Sequence, residues 1–194
     1  MAALPAAADS TYTWNFAATP NASLSTNTYT YYSNGLGIIA TGSTNFYYKS
    51  QGGIGGASET GLGLACCNSD YEIESGQSII LNLSSLFSKN VTGVTLMLGS
   101  IQQGETGLVC DAFGSCVTFG AGSDAKPVSI FGLFTDMKDH HSGLLTITAG
   151  TGDVLINQLQ ATTAAVPEPG SLMLMGTGLI GLAGMIRRRF RANL

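Results

Sequence analysis

The chain has 194 residues, of which 10% are charged and 26 are glycine, whereas about 25% of residues are charged in an ordinary soluble domain. Residues 1–166 contain eleven acidic residues and four lysines, and all four arginines lie between Arg187 and Arg191. An acidic body lacks the basic surface that nucleic-acid binding requires, so no nucleic-acid partner is expected.

The first eight residues, MAALPAAA, contain neither the positive stretch nor the apolar run of a complete signal peptide. The alanines that precede Asp9 match the small-residue end of a cleavage site. We therefore interpret residues 1–8 as the remnant of a signal peptide, and a plain disordered terminus is the alternative.

Residues 9–163 show the period-two alternation that is typical of β-strands, as in Tyr12, Trp14 and Phe16. The pair Asn34-Gly35 lies between two such runs and predicts a tight β-hairpin. About ten short strands separated by glycine-rich turns predict an all-β domain, an antiparallel, jelly-roll-like β-sandwich. Residues 84–88 are expected to form a single helical turn, and no amphipathic helix is predicted elsewhere in this domain.

Four cysteines allow three disulfide connectivities. Cys110 and Cys116 flank the short stretch DAFGS and could close a loop, whereas adjacent Cys66 and Cys67 could bridge each other only with backbone strain. Disulfides fit an exported protein. Free thiols and a zinc site are the alternatives, although the spacing matches neither zinc ribbons nor zinc fingers.

Two polar segments contain side chains that could bind a metal ion. Asp70, Glu72 and Glu74 fall on one face of a predicted strand, but their spacing matches no EF-hand. The segment DMKDHHSG is expected to be an exposed polar loop, because neighbouring side chains on a strand point apart; it contains Asp136, Asp139, His140 and His141. We predict no metal and no cofactor, with calcium as the alternative.

No GxSxG nucleophile elbow is present, and no serine or cysteine is tied to the two histidines by a recognisable pattern. We therefore predict no enzymatic activity, and an envelope hydrolase is the weaker alternative. Several tyrosines could stack on sugar rings, although about half of them are expected in the core because they alternate along strands; they are Tyr29, Tyr31, Tyr32, Tyr47 and Tyr48.

The composition changes at residues 164–194. A small polar linker leads into Pro167-Glu168-Pro169, and fifteen uncharged residues follow from Leu172 to Ile186. A helix of that length spans about 22 Å of a hydrocarbon core about 30 Å thick, and snorkelling arginines lengthen its reach. We predict a single transmembrane helix at about residues 170–186; a buried core helix, which would carry a polar stripe, is the alternative. The positive-inside rule then places the β-domain outside the cytoplasm.

The order of these elements resembles the PEP-CTERM sorting signal over residues 166–191. The elements are the triplet Pro167, Glu168 and Pro169, the apolar helix, and a basic cluster of Arg187, Arg188, Arg189 and Arg191. A segment of this kind is also labelled an ice-binding protein C-terminal domain. The resemblance implies that an exosortase in a Gram-negative bacterium cleaves the chain near the triplet. The chain would be the substrate of this reaction and would contribute no catalytic group to it.

These observations together predict an exported protein with a structural or adhesive role. It would pass through an inner-membrane-anchored intermediate, with the β-domain outside the cytoplasm, to the cell surface or the extracellular matrix. Its expected partners are an exosortase, the lipid bilayer and exopolysaccharide. An extracellular carbohydrate-binding module is the alternative function.

Overall fold

The computed structural model describes residues 9–17, 22–50, 59–65 and 71–165, together with Gly178. Within these ranges the strands, in chain order, are β1 (Ser10–Asn15), β2 (Ala22–Ser23), β3 (Thr28–Ser33), β4 (Leu36–Gly42), β5 (Phe46–Ser50), β6 (Thr60–Leu64), β7 (Ile73–Glu74), β8 (Ile79–Asn82), β9 (Val91–Gly99), β10 (Thr106–Asp111), β11 (Cys116–Gly120), β12 (Val128–Ser129), β13 (Leu144–Thr151) and β14 (Asp153–Thr163). The helices are α1 (Phe131–Asp139) and two short 3-10 helices, Ser84–Leu86 and Ala121–Ser123.

The strands form two sheets. The larger has eight strands in the order β12-β9-β14-β6-β5-β2, with β1 and β7 also pairing with β14. The smaller has six strands in the order β11-β10-β13-β8-β4-β3. The registered pairs are antiparallel, which confirms the predicted class of antiparallel β-structure in two sheets.

The hairpin predicted at Asn34-Gly35 is confirmed. Ser33 pairs with Leu36, which leaves Asn34 and Gly35 as the two loop residues. Both have positive φ, 48° and 77°, as the turns that match strand twist require. Asparagine and glycine are the residues that adopt this conformation most readily.

Alternating side chains from the two sheets fill the core. In the smaller sheet Ile38, Leu81, Val109 and Ile147 are buried, and in the larger sheet Leu62, Val94, Leu96 and Leu159 are buried. Because successive side chains on a strand point to opposite faces, the residues between these core positions form the outer faces. The alternation seen in the sequence therefore determines which side of each strand meets the core.

The expectation that the domain contains no helix beyond one turn is wrong at Phe131–Asp139. This segment forms α1 and buries Leu133, Phe134 and Met137, positions that share one face of a helix. At nine residues it is too short for a clear period, and Gly132 lowers its helix propensity. The helical turn expected at residues 84–88 is confirmed by the 3-10 helix at Ser84–Leu86.

The chain divides into two units, Thr11–Thr163 and a second that consists of Met1–Ser10 and Ala164–Leu194. Within the second unit the backbone N–H of Ala165 donates to Oδ1 of Asp9 at 3.0 Å. The transmembrane helix predicted at about residues 170–186 lies, apart from Gly178, outside the described residues. Among the residues that the structure does describe, no helix has the length and apolarity needed to span a membrane.

Candidate functional site

The outer face of the six-stranded sheet is an ordered array of uncharged side chains. Pairing aligns its residues in three rows that run across the strands. We call this array the outer face. Its rows are Thr30, Ile39, Asn82 and Leu144; Thr28, Thr41, Ile80, Thr146, Cys110 and Cys116; and Thr148, Leu108 and Thr118.

Tyr32 lies on the same face, two residues beyond Thr30 and towards the loop of the β3–β4 hairpin. It pairs with Gly37, and a Cβ at Gly37 would lie 3.0 Å from a carbon of the Tyr32 ring. The ring therefore lies over the glycine, and it is 71% exposed. Gly37 thus lets an aromatic ring lie against the sheet, where a larger residue would push it away.

The tyrosines predicted as a sugar-binding face do not form one surface. Tyr31 and Tyr48 are buried, and their hydroxyls share a hydrogen bond of 2.8 Å. Burial raises the pKa of both phenols above the ordinary value. Tyr47 stacks on Tyr71 with ring centroids 3.9 Å apart. Among the predicted tyrosines only Tyr29 and Tyr32 are exposed, at 46% and 71%.

A buried cluster of charged groups lies on the outer side of the larger sheet. Nζ of Lys49 is 2.6 Å from Oε1 of Glu72 and 3.1 Å from Oε2 of Glu59. The hydroxyl of Ser100 donates to the same Oε1 at 2.9 Å. Lys49 and Glu72 are only 5% and 3% exposed, so this hydrogen-bonded contact lies inside the protein.

The chain reaches this arrangement because residues 71–74 cross over β6 at a glycine. A Cβ at Gly63 would collide with the carbonyl oxygen of Tyr71 and lie 3.0 Å from Cα of Glu72. Only glycine permits so close an approach. The crossing segment covers Lys49 and places the carboxylate of Glu72 over it.

Glu72 also lies against the carboxylate of Asp153, and Oε2 of Glu72 has no hydrogen-bond donor within the described part of the chain. Burial, assisted by Asp153, raises the pKa of Glu72 to about 8, against the opposing effect of Lys49. A proton on one of the two carboxyl groups would turn their contact into a hydrogen bond.

The three acidic residues named above as the alternative calcium site do not form such a site within the described part of the chain. Asp70 lies outside the described residues, and the carboxylate of Glu72 is bound to Lys49. Glu74 pairs with Asp153 on β14. In residues 9–17, 22–50, 59–65 and 71–165 no group of three or more His, Cys, Asp or Glu side chains is arranged to hold a metal ion.

The histidine segment is a helix end and the turn that follows, which corrects the predicted polar loop. Asp136 and Asp139 belong to the last turn of α1, and His140 caps it. Nδ1 of His140 lies 2.9 Å from the carbonyl oxygen and 3.1 Å from Oδ1 of Asp136. The hydrogen bond to that carbonyl is the main cause of a raised His140 pKa. His141 has a positive φ of 56° and is exposed.

The order of these groups does not activate a nucleophile. The hydroxyl of Ser115 donates to Oδ2 of Asp136 at 3.2 Å, so the carboxylate lies between the hydroxyl and the imidazole. A serine nucleophile requires its hydroxyl on the imidazole, with the carboxylate behind the ring. Phe113 packs on His140 with ring centroids 4.4 Å apart, and this contact and the Ser115 bond attach the β10–β11 hairpin to α1.

Cys110 and Cys116 form a disulfide between directly opposed residues of β10 and β11. Asp111 holds the enclosed turn, because its Oδ1 accepts hydrogen bonds from the backbone N–H groups of Phe113 and Ser115 at 2.8 and 3.0 Å. Such a local side-chain bond is typical of aspartate in turns. Cys66 and Cys67 lie outside the described residues.

The residues of the predicted sorting tail also lie outside the described residues; they are Pro167, Glu168, Pro169, Arg187, Arg188, Arg189 and Arg191. Sequence reasoning missed two features inside the described domain. The Lys49–Glu72 pair joins residues 23 positions apart, which no local pattern indicates. Threonines alternate along several strands in the sequence, which indicates that they share one face of each strand. Which threonines lie side by side on neighbouring strands depends on the strand register, which the sequence does not show.

No curated protein and no solved structure matches the chain. The family model described as the PEP-CTERM protein-sorting motif matches residues 165–189. This segment contains the Pro-Glu-Pro triplet, the apolar stretch and the first arginines of the basic cluster. The chain therefore carries a PEP-CTERM sorting signal at residues 165–189.

Proposed function

We propose that the chain is a non-enzymatic component of the cell surface or the exopolymer matrix, with a structural or adhesive role. The sorting signal implies an exported surface protein that an exosortase processes. One structural observation supports the role after delivery: the domain displays an outer face of uncharged side chains whose exposed members include Thr41, Thr118 and Leu144.

The tail supplies the delivery step in this proposal. The apolar stretch from Leu172 to Ile186 holds the chain in the inner membrane of a Gram-negative bacterium, and the arginines keep its end in the cytoplasm. Proline disfavours helix in the residue before it. Pro167-Glu168-Pro169 therefore presents an extended backbone to the exosortase, which removes the anchor.

The side chains that the sequence offered for chemistry support a non-enzymatic role. Asp136 separates the hydroxyl of Ser115 from the imidazole of His140, and the carboxylate of Glu72 is occupied by Lys49. Each of these groups already serves a contact that stabilises the fold. For the same reason, we propose that the chain uses no cofactor.

A triple substitution, Pro167→Ala, Glu168→Ala and Pro169→Ala, tests the delivery step in a host that contains an exosortase. Cell fractionation and antibody labelling of intact cells should show wild-type protein at the surface and the triple variant held in the membrane at its unprocessed mass. Ala164→Ser, which precedes the matched segment, is the control and should behave as wild type. Wild-type protein confined to the cytoplasm, or equal surface labelling of the triple variant, contradicts the proposal.

A further inference from the structure

We infer that the outer face binds a chain of neutral polysaccharide. This inference rests on the proposed function, because it identifies what the delivered domain adheres to. It differs from a tyrosine-based sugar site, since Tyr31 and Tyr48 are buried and threonine is the commonest residue of the array. Charge, size and the chemistry of the exposed groups each contribute to the inference.

The charge pattern selects a neutral ligand. The outer face contains no acidic or basic side chain, although the chain up to Val166 has eleven acidic residues against four lysines. An anionic polymer would find no lysine or arginine to pair with and would be repelled by the acidic body, a repulsion that extends about 8 Å at physiological salt. A cationic ligand would lose water without gaining a carboxylate partner.

The size of the array argues for a chain-like ligand. The second row, from Thr28 to Cys116, crosses all six strands, which are spaced about 4.8 Å apart and span roughly 24 Å. The first row crosses four strands and the third crosses three. An extended polymer can lie along the second row and contact each strand in turn.

The side chains suit a sugar polymer, which alternates hydroxyl groups with apolar C–H surfaces. Within the described part of the chain, the hydroxyls of Thr28, Thr30, Thr41, Thr118 and Thr146 make no intramolecular hydrogen bond, and each can both donate and accept. The apolar members include Ile39 and Leu144, each 42% exposed. The exposed ring of Tyr32 adds an aromatic platform at one end.

The outer side of the larger sheet differs from the outer face because other residues of the chain cover part of it. Residues 71–74 cross it at Gly63 and cover Lys49, so part of that surface is inside the protein. The outer face of the smaller sheet has no such cover at its exposed members Thr41, Ile39 and Thr118. The two sides of the domain therefore differ in what they can contact.

Affinity gel electrophoresis of the full chain in a polyoxyethylene detergent tests the inference. The probes are three neutral polysaccharides, namely dextran, mannan and hydroxyethyl cellulose, and one anionic polysaccharide, alginate. The charge variant is Thr41→Lys with Thr118→Lys. Its control is Gln103→Lys with Thr135→Lys, which adds the same charge at exposed positions of a turn and of α1.

We expect at least one neutral polysaccharide, but not alginate, to retard the wild-type protein. The charge variant should bind that polysaccharide about tenfold or more weakly, because binding would desolvate the new ammonium groups, while the control pair binds as wild type. Thr41→Val with Thr118→Val retains shape without hydroxyls and should weaken binding less. Matching thermal unfolding curves confirm that the variants are folded.

Three results would overturn the inference: no retardation by any neutral polymer, equal binding by the charge variant and the control, or a concentration-dependent dimer that the charge variant abolishes. The last result would assign the outer face to a second copy. If surface delivery succeeds while polysaccharide binding fails, the proposed function stands and only this inference is lost. Failure of delivery leaves the binding result unaffected, because the assay uses purified protein.

Discussion

The ammonium group of Lys49 lies 2.6 Å from the carboxylate of Glu72, and both side chains are buried beneath residues that cross β6 at Gly63. Removing one member of a buried ion pair leaves the other without compensation, which costs more than removing both. The pair therefore fixes where residues 71–74 lie on the larger sheet.

Substituting Lys49→Met should destabilise the domain by about 3 kcal/mol at pH 9. Glu72, Glu59 and Asp153 would then surround a site without its cation. At pH 6 the loss should be smaller, because Glu72, with a pKa of about 8, then carries a proton. Urea unfolding at both pH values measures the difference. Lys49→Met with Glu72→Leu should recover much of the stability, and an equal loss in the single and double variants would contradict this account.

Stability should fall as the pH rises from about 4.5 to 8 and then level off. The pKa of Glu72 is raised from 4.5 to about 8 in the folded protein, so the folded state binds more protons than the unfolded state across this range. The contribution is complete below pH 4.5 and is lost as the pH passes about 8. The pKa of His140 is also raised. Its contribution to stability is therefore also lost as the pH rises and the imidazole loses its proton.

Thermal unfolding across this pH range separates the two groups. Asp153→Asn removes the neighbouring carboxylate that helps to raise the Glu72 pKa, so the decline should become shallower and shift to lower pH. His140→Gln should remove only the part of the decline that follows the histidine. A profile that is unchanged by Asp153→Asn would show that the carboxyl pair does not hold the proton.

Gly63→Ala should destabilise the domain by about 2 to 3 kcal/mol, as overpacking does. Its methyl group would meet the carbonyl oxygen of Tyr71, a backbone atom that cannot rotate away. Gly132→Ala is the matched control, because no atom lies within 4 Å of its added Cβ. In α1 that alanine should stabilise the protein by up to about 1 kcal/mol. Similar effects of the two substitutions on urea unfolding would refute the tight crossing at Gly63.

Replacing Cys110→Ser and Cys116→Ser together should lower stability by about 2 kcal/mol, since the disulfide closes a loop with a sequence separation of 6. The loss should stay modest because Asp111 continues to hold the turn. Asp111→Ala in the disulfide-bonded protein isolates that contribution. Unfolding of the oxidised and reduced wild-type protein gives an independent measure, and identical curves would contradict the prediction.

The sequence predicted those parts of the fold that depend on local chemistry. Strand alternation indicated the two-sheet class, and Asn34-Gly35 located a hairpin because few residue pairs tolerate two positive φ angles. Helix α1 was missed, since nine residues are too short for a clear period. The partners Lys49 and Glu72 meet only through the crossing at Gly63, and a contact between distant segments has no local signature. The outer face likewise depends on strand register, which alternation alone does not determine.

Strand β14 is the last element of the domain before the tail, and it lies inside the larger sheet, between β9 and β6. It pairs with β9 from Leu155 to Thr163. While the tail anchors the chain, a pull directed along β14 is therefore received by an interior strand, and the ladder bonds to β9 bear the load together in shear. An edge strand would pass the same pull to a single neighbouring strand. Because β14 also pairs with β6, a load that enters at Thr163 is divided between two neighbouring strands.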